Sequence, residues 1–173
     1  MAEYEPFDPH VQVIGQVLQA WVEGTHARIV PVLARHGISY PQENAWYAQT
    51  TALNVLREFA RTEDLVAMGK QIINFAIFPP GLATVEEALH AINEAYHMNH
   101  RGGEIGYYHT RMQAPRHIVV TCKNPYPCDF DYGIILGMAQ RFLPRSNTLT
   151  VKHDKAAGCR KEGENICVYH VTW

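Results

Sequence analysis

The sequence predicts an α+β domain in which N-terminal helices pack on a four-stranded antiparallel sheet. Three observations carry this. Apolar residues recur at helical spacing through roughly the first hundred positions. From Glu104 onward, short β-branched and aromatic runs replace them. The order of these later segments is β-β-α-β-β, which an antiparallel sheet covered by helices on one face accommodates.

Asp8 and Pro9 open the first helical pattern, over 8–23, with Val11, Ile14, Val17, Leu18 and Trp21 on one face. The stretch ARIVPVLARHGI reads as a short helix stopped by Gly37. NAWYAQTTALNVLREFART and TEDLVAMGKQIINFAIF follow as two more helices, the second with a start signal at Thr62. After the turn FPPGLAT, Thr84 caps the helix VEEALHAINEAYHMNHR, which ends near Gly102 and Gly103. EIGYYHTRM and RHIVVTC then form a hairpin, FDYGIILGMAQRFLP a helix stopped by Pro144, and NTLTVKH and ICVYHVTW two more strands. We expect residues 1–173 to be a single domain, with 1–64 a helical lead-in segment and 65–173 a ligand-binding part.

A net charge of -2 argues against a nucleic-acid or anionic-membrane surface. No apolar run reaches the roughly 20 residues needed to span a bilayer. The opening MAEYEPFDPH has neither the basic nor the apolar region of a signal peptide. The expected location is therefore the cytoplasm, where paired cysteines more often bind metal or do redox chemistry than form disulfides.

The four cysteines form two pairs, Cys122/Cys128 across KNPYP and Cys159/Cys167 across RKEGENI. Four thiolates at short turns suit tetrahedral zinc. The spacings C-x5-C and C-x7-C are looser than a C-x2-C knuckle, and buried reduced thiols acting as small hydrophobes remain the alternative.

The runs PCDFDYGIILGMAQRFLP and GCRKEGENICVYHV resemble the 4-vinyl reductase domain family, found in bacteriochlorophyll biosynthesis proteins and in aromatic-responsive activators. The resemblance covers about residues 65 to 173. It extends more weakly to IGQVLQAWVEGTHARIVPVLARHGI. It implies a structural zinc held by Cys128, Cys159 and Cys167. The family's acidic ligand, three positions before Cys159, is replaced by Ala156. Cys122, which would complete four thiolates, or His153 as the alternative, then supplies the fourth ligand. The resemblance also implies a fold shared with heme nitric-oxide sensors and with subunits of a Golgi transport tethering complex. By analogy with the heme sensors, His90 and His97 are candidate heme ligands. Those sensors' Tyr-x-Ser-x-Arg run is absent, the nearest segment being YYHTRMQAPR, and heme is not expected.

Trp46, Tyr47, Phe75, Phe78, Tyr96, Tyr107 and His109 have the chemistry to line a pocket for a small hydrophobic or aromatic ligand. Alternation along a strand puts Tyr108 on the face opposite Tyr107 and His109. No nucleophile motif, phosphate loop or dinucleotide fingerprint occurs, and Glu86 and Glu87 read as helix-start acids. The expected function is a non-enzymatic sensory or regulatory domain signalling to a separate partner. The alternatives are an accessory protein of tetrapyrrole metabolism or gas sensing, or a ligand-free interaction module. The apolar set around Trp21 suggests a two-fold homodimer.

Overall fold

The computed structural model describes residues 3–59 and 61–173. Its elements run β1 (Gln12–Ile14), α1 (Gly15–Gly24), α2 (Val30–Arg35), β2 (Trp46–Ala48), α3 (Gln49–Phe59), α4 (Thr62–Phe75), α5 (Val85–Met98), β3 (His100–Arg101), β4 (Tyr107–Ala114), β5 (His117–Lys123), α6 (Cys128–Phe142), β6 (Thr150–His153) and β7 (Cys167–Thr172). The expected α+β class and the β-β-α-β-β order of the second half are both present.

Strand order in the large sheet is β4-β5-β7-β6, antiparallel throughout. Alternation sorts its side chains cleanly. Tyr108, Ile118, Val120, Cys122, Cys167, Tyr169 and Val171 are buried beneath the helices, while Tyr107, His109, Arg111 and Lys152 point the other way and are exposed.

A second, three-stranded sheet, β2-β1-β3, departs from the expected all-helical first half. The spacing of Val11, Ile14, Val17 and Leu18 fits a helix from residue 8. Instead Val13 pairs with both Tyr47 and His100, and α1 starts only at Gly15. The β-branched VQVI run finds partners 34 and 87 residues away, and these long-range pairings override the local pattern. Ile38 follows Gly37, whose φ of +82° ends the α2 region as expected. Thr84 caps α5 with a full capping box to Glu87. The side chain of Thr62, expected to signal the start of α4, lies outside the described residues.

α4 and α6 cross at close range. Gly69 and Gly133 face each other there: a methyl group on Gly69 would press on the Phe130 carbonyl and stand 2.9 Å from Gly133 Cα. Trp21 is fully buried, edge-on to Phe130. The apolar face of α1 thus belongs to the core, and the reason for expecting association through it is lost. Among the described residues no helix is long and apolar enough to cross a membrane.

Candidate functional site

Where α5 ends, Asn99 takes over. Its side-chain amide donates to the carbonyls of Ala95 and Ile77, both at 2.7 Å, and its oxygen accepts from the Ile77 N–H at 3.0 Å. This fixes the chain so that the next residue, His100, enters β3 with its ring turned inward, 8% exposed. His100 Nδ1 lies 2.8 Å from the Tyr96 carbonyl. A carbonyl only accepts, so Nδ1 carries the proton and the lone pair is on Nε2. That lone pair receives the Tyr126 hydroxyl at 2.7 Å. Burial brings the imidazole down to about 4, so it is neutral at physiological pH.

His100 and Tyr126 border a cavity of about 40 Å³ between α1, α4, α5 and α6, room for about one water. Tyr96, Tyr108, Phe78 and Phe130 are further walls. Gln49, fully buried, donates to the Tyr126 hydroxyl at 3.4 Å, and its Oε1 has no hydrogen-bond partner among the described residues.

Of the seven expected pocket residues, the structure brings Phe78 and Tyr96 to this cavity. Trp46 lies under the Arg101 guanidinium at 4.2 Å on the small sheet. The Tyr47 hydroxyl accepts from the Gln42 N–H. Phe75 packs against the core from outside the cavity lining. Tyr107 and His109 lie on the exposed sheet face beside a shallow depression. His90 and His97 are both exposed, the first against Thr110 and the second bonded to the Asn93 carbonyl. The residues that sequence reasoning missed, His100, Tyr108 and Tyr126, sit in a two-residue strand, on the inner side of β4 and in a Pro-Tyr-Pro turn. Only the alternation rule pointed to one of them, Tyr108.

The second cluster forms where the N-terminus of α6 meets the β6–β7 loop. Cys128, Cys159 and Cys167 are all buried. Cys128 Sγ is 2.8 Å from Cys167 Sγ and 4.0 Å from Cys159 Sγ. Ligand atoms of Cys128, Cys159 and His153 lie within 4.8 Å of one another. His153 stacks on Tyr169, its ring bonds the Gly158 backbone, and its buried Nε2 has no hydrogen-bond partner among the described residues. Two thiolates on a tetrahedral zinc at 2.3 Å stand about 3.8 Å apart, close to the Cys128–Cys159 separation. Cys122 is the neighbour of Cys167 across the β5–β7 ladder, but its thiol hydrogen-bonds Asp131, and burial and that carboxylate both push it up.

Between the two clusters lies a buried ion pair. Arg160, next to Cys159, meets Asp131 of α6, and neither side chain is more than 1% exposed. The guanidinium also donates to the carbonyls of Cys122 at 2.8 Å and Tyr126 at 2.7 Å. Asp131 accepts from the Tyr108 hydroxyl at 2.5 Å and from Asn124. Burial pushes the Asp131 carboxyl up against the opposing pull of Arg160. Burial also disfavours the charged Arg160, which Asp131 more than offsets.

No family model matches the chain, and no curated protein matches its sequence. Solved structures do. An H-NOX protein from S. oneidensis in the Fe(II)NO state covers 91% of this chain and 97% of its own, with a TM-score of 0.67 at 15% identity. An H-NOX from Shewanella woodyi in the Fe(II)CO state, bound to IWP-051, covers 92% and 94%, with a TM-score of 0.60 at 14% identity. A structure from work on heme distortion in the H-NOX family covers 92% and 94%, with a TM-score of 0.59 at 14% identity. The class defined by this likeness is the H-NOX fold. At such identities the likeness shows the fold alone.

This corrects the expectation that set heme aside. The proteins sharing the fold across nearly the whole chain include ones studied for their heme, so the missing Tyr-x-Ser-x-Arg run does not dispose of heme.

Proposed function

We propose that this chain is a non-enzymatic, ligand-binding sensory domain whose ligand seat is the cavity at His100. The observation that carries the reading is a neutral, enclosed imidazole whose Nε2 lone pair borders an apolar cavity, in a fold shared with H-NOX domains. Heme is the ligand class that those neighbours bring to the test. For it, His100 is the right donor once Tyr126 lets go: Nδ1–H is anchored on a backbone carbonyl and Nε2 is the unprotonated nitrogen, whose lone pair the Tyr126 hydroxyl now occupies. The room is not there in the shape described. About 40 Å³ is far below the roughly 300–1,000 Å³ of pockets for drug-sized ligands. A heme-bound form requires the ring wall of Tyr96, Tyr126 and Phe130 to move outward.

The test is reconstitution of purified protein with hemin, followed by absorbance. A Soret band in the parent that is lost in His100→Gly, and retained in His90→Ala and His97→Ala, supports heme at this seat. A parent that takes up no hemin while a small aromatic probe binds and perturbs Tyr126 restricts the seat to small apolar ligands. Binding of neither overturns the sensory reading.

The resemblance to 4-vinyl reductase domains gains support from the gathering of Cys128, Cys159 and Cys167. Cys128, Cys159 and His153, whose ligand atoms lie within 4.8 Å of one another, suit three donors of a structural zinc. Cys167 Sγ, 2.8 Å from Cys128 Sγ, has to draw back to about 3.8 Å to be the fourth and leave no open position for chemistry. The unpartnered Nε2 of His153 and the turn of Cys122 toward Asp131 favour His153 over Cys122. Elemental analysis reads this directly. Zinc content near one per chain is expected to survive Cys122→Ser and to fall in His153→Ala, and the reverse pattern would refute the assignment.

A further inference from the structure

We propose that His117 and His170, with Asp154 behind them, form a metal site for a divalent cation of the nickel and copper class. It lies on the outer face of the four-stranded sheet, the side of β7 opposite the thiol cluster. Strand register builds it. His117 stands across from Thr172 and His170 across from Val119, so the two histidines are diagonal neighbours on adjacent strands and share a face. Their side chains turn toward each other: His117 Nε2 is 2.8 Å from His170 Nδ1, with the rings tilted by 42°. Asp154, just past β6, puts its Oδ2 3.3 Å from His170 Nε2.

That carboxylate selects the nitrogen that binds. It draws the His170 proton to Nε2 and leaves the lone pair on Nδ1, the nitrogen that faces His117. A carboxylate on the far nitrogen of a histidine is the arrangement that orients imidazoles on metals and raises their basicity. In the free chain the two rings share one hydrogen bond, donated by His117 Nε2 to His170 Nδ1. Moving the His117 proton to its other nitrogen frees a second lone pair at the same spot. The pair is then a chelate.

Distance selects the ion. Two nitrogens bound at about 2.0–2.1 Å stand about 2.9 Å apart at a right angle and about 3.3 Å apart in a tetrahedron. The observed 2.8 Å is close to the right-angle case. That geometry, with imidazole donors, belongs to Cu²⁺ and Ni²⁺ and not to tetrahedral zinc. The His170 and Asp154 side chains are 33% and 35% exposed, so an ion enters from solvent and keeps waters at its other positions. Lys152, directly across from His170, is exposed on the same face and opposes the ion.

The probe is Ni²⁺, which thiols do not reduce, titrated into protein given one equivalent of zinc beforehand. Calorimetry reads the affinity, and nitrogen NMR of the imidazoles reads the place. Ni²⁺ should broaden the ring signals of His117 and His170 before those of the exposed His90 and His97, a result that needs no variant. Affinity should fall about tenfold or more in His117→Gln and in His170→Gln, and about tenfold in Asp154→Asn, the scale of a lost carboxylate behind a ligating histidine. Lys152→Ala should tighten binding. None of these side chains is in the core, so each variant should keep the parent's melting temperature. No nickel uptake, broadening that begins at other histidines or at the thiol cluster, or an affinity unchanged in both Gln variants overturns the proposal. An unchanged affinity in Asp154→Asn would strike the carboxylate from the site and overturn the trio as stated.

Discussion

Arg160→Met should be among the most damaging single changes in this protein. The substitution keeps most of the stem's volume and removes the guanidinium. Asp131, fully buried, then keeps Tyr108, Asn124 and the Cys122 thiol as partners but no cation, and the carbonyls of Cys122 and Tyr126 lose their donor. Breaking a buried pair from one side costs about 3–5 kcal/mol. Because burial already raises the Asp131 carboxyl, it can escape by taking up a proton, which places the cost toward the lower end, about 3–4 kcal/mol. For a chain of this length each kcal/mol shifts Tm by about 2–4 °C, so a fall of roughly 10 °C is expected. Urea unfolding followed by circular dichroism should report the same loss with an unchanged slope. The double variant Arg160→Met/Asp131→Leu should regain part of it, since no buried carboxylate is then left behind. A single variant within about 1 kcal/mol of the parent, or a double variant no more stable than the single, would refute this account.

His100 makes stability depend on pH. Its folded value, about 4, lies below the ordinary 6.5, so the unfolded chain binds the proton more readily and stability falls as pH drops through that interval. The full difference is about 3 kcal/mol, and His100→Gln should flatten that part of the parent's pH–stability curve; parallel curves would count against it. Gly69→Ala should cost about 1–3 kcal/mol by forcing α4 away from the Phe130 carbonyl, and a neutral result in thermal melting would mean that the two helices slide freely. Cys159→Ser should lower Tm by several degrees in zinc-loaded protein, and the difference should vanish after chelation if the thiol acts through the metal.

The second half of the fold was legible because its signals are local. Alternation in RHIVVTC and ICVYHVTW, the helical run GIILGMAQRF and the Thr84 capping box each depend on residues a few positions apart, and each element forms where its pattern lies. The thiol cluster was half legible: Cys128, Cys159 and Cys167 could be named, but which fourth side chain faces them depends on how β6 leans against β7. The ligand seat was nearly illegible. His100 owes its inward ring to two residues of strand pairing with β1 and to the Asn99 clasp, and Tyr126 reaches it from 26 residues further along the chain. The expected pocket residues were chosen for chemistry alone, and Trp46, Tyr107 and His109 lie elsewhere because side-chain type does not reveal which face an element turns inward. Sequence determined the helices and the strands of the large sheet, through short-range periodicity and capping, but not β1, β2 and β3, which long-range pairing makes. Tertiary structure decided the site, because burial and long-range pairing choose which of many histidines and aromatics converge.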